Sequence, residues 1–160
     1  MIELRLMHLR DALFPRLAEA VGTVPSALYG LLAALPKPEP GEPDLGYRVE
    51  PDEGVIATMA EAGGHQLVAT VTTDAMQPKT LEAIFIGTQS FDEEWWDAPA
   101  PIEGPYDIYV TPQGEGHRPT FAGDLVDAGE FGLFACTGKG WHRLSEPAAT
   151  RCRAAWAARS

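Results

Sequence analysis

An α+β fold follows from three features of the sequence. Helical periodicity dominates the first 35 residues, short strand-like runs with tight turns fill the middle, and one capped helix comes last. Strands joined by short turns pair antiparallel rather than through crossover helices. The expected architecture is two N-terminal helices, a mainly antiparallel sheet of about five to six strands, and one C-terminal helix. At 160 residues the chain fits a single domain, 1–160, with a hydrophobic share of 45% that supports a real core. Within it the sequence divides into a helical part (1–35), a proline-rich connector (36–46), a β-rich part (47–144) and a last helix (145–160).

The elements follow in order. MIELRLM alternates Ile2, Leu4 and Leu6 against Glu3 and Arg5, a strand-like period of two. Leu9, Leu13, Leu17 and Val21 then recur at helical spacing, and Pro15 fits an early helical turn, so a helix is expected over about 11–21, closed by Gly22. In TVPSALYGLLAALP, Thr23 is placed to cap and Pro25 to occupy the first turn; Leu28, Leu31, Leu32 and Leu35 line one face until Pro36. PKPEPGEPDLG holds four prolines and three acids in eleven residues, a composition for an extended connector.

Beyond Tyr47, GVIATMA and HQLVATVTT flank EAGG and read as a hairpin, with Leu67, Ala69 and Val71 on one face and Val68, Thr70 and Thr72 on the other. TLEAIFIG and YDIYVT read as further strands. FGLFACTGKGWHRL reads as a second hairpin turned at Thr137-Gly138-Lys139-Gly140. In SEPAATRCRAAWAARS, Ser145 stands at the cap, Glu146 and Pro147 in the first turn, and Arg151, Arg153 and Arg159 toward the end, an order that suits the helix dipole. Ala148, Cys152, Ala155 and Trp156 form its apolar stripe, with Trp156 as the docking anchor.

Net charge is −11, with a pI near 4.7. Nucleic acid and anionic membranes would repel such a chain. The two cysteines, Cys136 and Cys152, are too few for a disulfide framework and form no CxxC pair; buried thiols are expected. With no secretory h-region and no apolar run of membrane-spanning length, the expected setting is cytoplasmic.

Motifs for catalysis are weak. Lys139 lies in a TGKG turn without the spacing or the following Ser/Thr of a phosphate-binding loop. His8, His65, His117 and His142 lack close metal-ligand spacing; a dispersed site would have to gather His117, His142, Glu115, Asp107, Asp124 or Asp127. Ser26 and Ser145 stand at helix starts, and no GxSxG elbow exists. Cys136 beside His142 is the only thiol arrangement, in an apolar strand that would keep it inert. No cofactor, metal or catalytic residue is assigned.

The charge layout is more informative. Between Lys79 and Arg118 there is no Lys or Arg, while Glu82, Asp92, Glu93, Glu94, Asp97, Glu103, Asp107 and Glu115 fall there. In FDEEWWDAPAP the adjacent Trp95 and Trp96 would face opposite sides of an extended segment, one inward and one out. An exposed indole ringed by acids has the physics of an interface hot spot for a cationic surface. The expected partner-binding residues are Asp92, Glu93, Glu94, Trp95, Trp96, Asp97, Glu103 and Asp107. The expected function is non-enzymatic: an acidic protein that blocks a basic surface of another macromolecule, such as a nucleic-acid-binding protein. Inhibitors, immunity proteins and anti-defence proteins of phage, some of them DNA mimics, work by this physics. The alternatives are an assembly subunit of a phage or other multimeric particle, and a small hydrolase with a dispersed His/Asp/Glu site.

Overall fold

The N-terminal strand lies in the interior of the sheet. In the computed structural model, residues 1–33, 40–41, 50–89, 108–114 and 116–159 are described. Among the described residues, six strands form one antiparallel sheet: β1 (Ile2–Leu9), β2 (His65–Thr73), β3 (Ile108–Pro112), β4 (Leu125–Asp127), β5 (Leu133–Thr137) and β6 (Gly140–Arg143), in the order β3-β2-β1-β4-β5-β6. Five α-helices among the same residues accompany them: α1 (Phe14–Ala20), α2 (Pro25–Ala33), α3 (Glu53–Glu61), α4 (Pro78–Gly87) and α5 (Glu146–Ala158). The fold is therefore α+β, with helices in the N-terminal part and one at the C-terminal side. No helix among the described residues is long and apolar enough to cross a membrane.

Strand alternation gives the sheet two apolar faces. On one, Leu4 and Leu6 of β1, Ala69 and Val71 of β2, Ile108 and Val110 of β3 and Val126 of β4 pack under Leu81 and Ile84 of α4. On the other, Met7 and Leu9 of β1, Leu125 of β4, and Leu133 and Ala135 of β5 meet Leu17, Leu28, Leu32, Ile56, Met59 and Cys152 from α1, α2, α3 and α5. The second half of β1 is thus buried on both faces, which accounts for its unbroken run of apolar residues around His8.

Two segments expected as strands are helices. GVIATMA lies in α3, where Ile56, Ala57, Met59 and Ala60 are buried at helical spacing. Asp52 caps this helix; its Oδ1 accepts the Val55 N–H at 3.1 Å. TLEAIFIG lies in α4, opened by Pro78 at the first position and by a capping box between Gln77 and Thr80. Its β-branched residues suggest a strand, but Leu81, Ile84 and Thr88 all lie on the buried side. Conversely, β4, only three residues long, carries no periodic signal of its own.

A bulge corrects the expected facing of β2. Leu6 pairs with Ala69 and Met7 with Leu67, leaving Val68 as the extra residue. Leu67 therefore turns away from Ala69 and Val71 and is 39% exposed. Thr23 lies one residue too early to cap α2, which starts at Pro25, and Leu35 and Pro36 lie outside the described residues; the other expected elements are present. The first helix begins as a 3₁₀ turn, Asp11–Leu13, and continues as α1; YDIYVT contributes β3; and β5 and β6 form the TGKG hairpin, where Gly140 has φ of 112°. Ser145 stands at the start of α5 without a side-chain capping bond; its N–H instead donates to the Glu53 carboxylate. Of the connector, only residues 40–41 are described.

Replacing Asp52 by Ala removes the α3 cap while leaving the buried face intact. The expected loss is about 1 kcal/mol of stability, read as a lower denaturant midpoint with an unchanged slope.

Candidate functional site

All eight residues expected to contact a partner, Asp92, Glu93, Glu94, Trp95, Trp96, Asp97, Glu103 and Asp107, lie outside the described residues, as does Glu115. The other chemistry-bearing side chains are described, and most converge near the end of β1.

Asp124 is the centre of that cluster. It follows the turn 119–123 and enters β4 fully buried. Its carboxylate accepts four N–H groups: Leu9 N at 2.8 Å, Phe121 N at 2.9 Å, and Arg118 Nη1 and Nη2 at 2.6 and 2.8 Å. Burial pushes the Asp124 carboxyl above its ordinary range, against the pull of Arg118 and the two backbone donors. Desolvation also opposes the charge on Arg118, but Asp124 and Asp11 outweigh it and raise its pKa. The four donors offer no acceptor for a carboxyl proton, so both partners are charged at neutral pH. Arg118 also donates to Asp11 Oδ1 at 2.9 Å and to the Leu9 carbonyl at 3.0 Å. Gly123 has φ of 95°, and a Cβ there would meet Leu9 Cδ1 at 2.5 Å, so only glycine fits the turn.

Two histidines flank this centre. His8 Nε2 lies 2.9 Å from Thr120 Oγ1, and the Thr88 hydroxyl lies 2.7 Å from the same oxygen. His65 Nε2 lies 3.0 Å from the Gly123 carbonyl, and its ring meets Trp156 edge-on at 6.2 Å. Burial drives both pKa values down, that of His8 to about 3. His8 reaches both Thr120 and Asp124 (3.7 Å) through the same ring nitrogen, Nε2. Thr88, Thr120 and Asp124 are fully buried, and His8 is nearly so. The cluster is a structural lock between β1, α4 and the 118–124 loop.

The remaining chemistry-bearing groups are dispersed. His142 faces Glu53 of α3 at 3.6 Å; Asp127 accepts from Arg153; His117 Nε2 lies 2.6 Å from the Gln113 carbonyl. Among the described residues, no three His, Cys, Asp or Glu side chains gather to hold a metal. Cys136 pairs with Trp141 across β5–β6, whereas His142 pairs with Ala135, so thiol and imidazole face opposite sides of the sheet. Burial also raises the Cys136 thiol to about 12. Cys152 lies in the core on the other face, and both cysteines are free thiols.

Above the lock, the surface carries an aromatic patch that periodicity did not reveal. The Arg118 guanidinium lies 4.3 Å over the Phe121 ring, and Phe121 stacks on Tyr29 of α2 at 6.4 Å. Both rings are more than a third exposed. Tyr29 and Phe121 are 92 positions apart, and no local signal joins them.

No family model matches the sequence, and no match was found among curated proteins or solved structures.

The neutral histidines make the fold acid-sensitive. Each binds fewer protons folded than unfolded, so stability is full above the ordinary histidine pKa of about 6.5 and falls as pH drops toward the depressed folded value. Each contributes a slope of up to about 1.4 kcal/mol per pH unit in that window. Asp124, whose carboxyl is raised by burial, acts in the opposite sense. His8→Gln should make the decline shallower in urea titrations run between about pH 6.5 and 5. Asp124→Asn should destabilise by about 3 kcal/mol or more, because it leaves the Arg118 charge poorly paired.

Proposed function

We propose that the protein is a non-enzymatic, acidic binding protein that occupies a basic surface of another macromolecule, of the inhibitor, immunity or anti-defence kind. The observation that carries this reading is the charge layout: an interval from 79 to 118 that contains eight acids and no internal base, in a chain of net charge −11. Two guanidinium groups of the last helix are engaged with acids outside that interval, Arg151 with Glu61 and Arg153 with Asp127. In this reading the interval's charge steers a cationic partner.

Two further observations support it. The buried histidines, Asp124 and Cys136 are tied into the core rather than arranged for proton transfer or nucleophilic attack. The Tyr29–Phe121–Arg118 patch offers the residue types that dominate interface energetics, on the described surface. In this reading Asp92, Glu93, Glu94, Asp97, Glu103 and Asp107 steer and select, and one of Trp95 and Trp96 inserts. The partner class that fits is a basic, nucleic-acid-binding protein rather than nucleic acid or membrane.

Charge reversal tests it. With the chain immobilised and its retained partner purified, Glu93→Lys, Glu94→Lys and Asp97→Lys together should slow association at low salt by about tenfold or more while the melting temperature stays put. Rates unchanged at low salt would overturn the reading. Tyr29→Ala and Phe121→Ala should speed dissociation if the aromatic patch belongs to the same interface.

A further inference from the structure

His65 opens β2 where the sheet meets the helical layer. Leu9 of β1 is its pairing partner, and the Gly123 carbonyl of the turn before β4 lies 3.0 Å from its Nε2. Trp156 of α5 meets the ring edge-on, at 77°. The adjacent Gly64 donates its N–H to the Met59 carbonyl of α3, and a Cβ there would strike Leu17 of α1. His65 itself is 5% exposed.

The hydrogen bond fixes the tautomer. A carbonyl only accepts, so Nε2 carries the hydrogen and Nδ1 is a bare acceptor. Nδ1 is buried and meets no hydrogen-bond partner among the described residues. A second proton would therefore create a buried N–H without an acceptor, on a ring turned cation. The surrounding groups do not offset that cost. Burial and Arg118 oppose a charge there; Asp124 favours it, but its carboxylate already accepts four N–H groups. His8, also within electrostatic reach, is held neutral by its own burial. On the helical side, Arg159 lies against Gly63 and donates to the Glu61 carbonyl, while the Glu61 carboxylate is paired with Arg151.

Acid thus reaches Nδ1 only when this junction opens. β1 and β2 are tied by sheet pairing, and the 118–124 loop by the Arg118–Asp124 pair. Trp156, by contrast, belongs to the last turn of α5, where Ala157, Ala158 and Arg159 are exposed. Helix ends open at a smaller cost than core strands. We propose that His65 is an acid-operated latch on the C-terminal helix: a proton taken up at Nδ1 holds open a state in which the last turn of α5 has left the sheet and the imidazole faces water. The closed state binds no proton at Nδ1, and the open state binds one below about pH 6.5, so each further unit of acid raises the open population about tenfold. Complete unfolding also frees His8 and Asp124 and follows a different dependence on pH. The latch goes beyond the protein-binding reading and does not depend on it.

Amide hydrogen exchange of the intact chain, read by NMR between about pH 7.5 and 5.5, tests the latch. Protection factors at the Trp156 and Ala157 amides should be flat above about pH 6.5 and fall about tenfold per unit below it. Protection at Leu6 and Val71 in the sheet should stay higher throughout. In His65→Gln, whose amide retains a donor for the Gly123 carbonyl, the fall at α5 should vanish; in His8→Gln it should persist. Imidazole ¹⁵N shifts of the unmodified chain should place the hydrogen of His65 on Nε2. Protection at Trp156 and Ala157 that ignores pH, or that falls in step with Leu6 and Val71, would overturn the proposal, and both are read without any variant. A closed-state His65 with its hydrogen on Nδ1 would overturn it too.

Discussion

The ion pair between Arg118 and Asp124 holds the described part of the molecule together. One carboxylate fixes the end of β1 through the Leu9 N–H, shapes the turn before β4 through the Phe121 N–H, and anchors a guanidinium that reaches Asp11. A pair buried this deeply offsets its desolvation only when its hydrogen-bonding capacity is filled, and here all the donors are in place. The lock sits where β1 leaves the sheet and the first helical segment begins. Its geometry therefore fixes how the helical layer meets the strands.

That arrangement also decides which polar side chains are held inside. Side chains that elsewhere perform acid–base or thiol chemistry are used here as internal fasteners, neutral where burial demands it. On the described surface, an aromatic stack is rooted in the lock by Arg118.

Much of the scaffold was legible in the sequence because its signals are local. Alternation in Ile2–Leu6, the TGKG turn and the Ser145-Glu146-Pro147 opening of α5 each give their element without reference to the rest. The two errors share one cause. In GVIATMA and TLEAIFIG, β-branched content suggests strands, whereas the decisive information lies just upstream, in the Asp52 cap and in Gln77-Pro78 with Thr80. The bulge at Val68 and the three-residue β4 depend on pairing partners far along the chain and leave no periodic trace. The polar lock was invisible for the same reason: His8, Thr88 and Arg118–Asp124 become neighbours only once the sheet has formed. His8 in particular reads as an ordinary polar residue of the first strand until β1 is known to be buried on both faces.

The interior position of β1 also dictates an order of assembly. Residues Ile2–Leu9 find their first partner in His65–Thr73 and their second in Leu125–Asp127. Both pairings join segments distant in sequence, so β1 lacks its full set of neighbours until Leu125–Asp127 has docked. Closing loops of that length slows collapse to the final state and leaves an unpaired strand edge open to other chains.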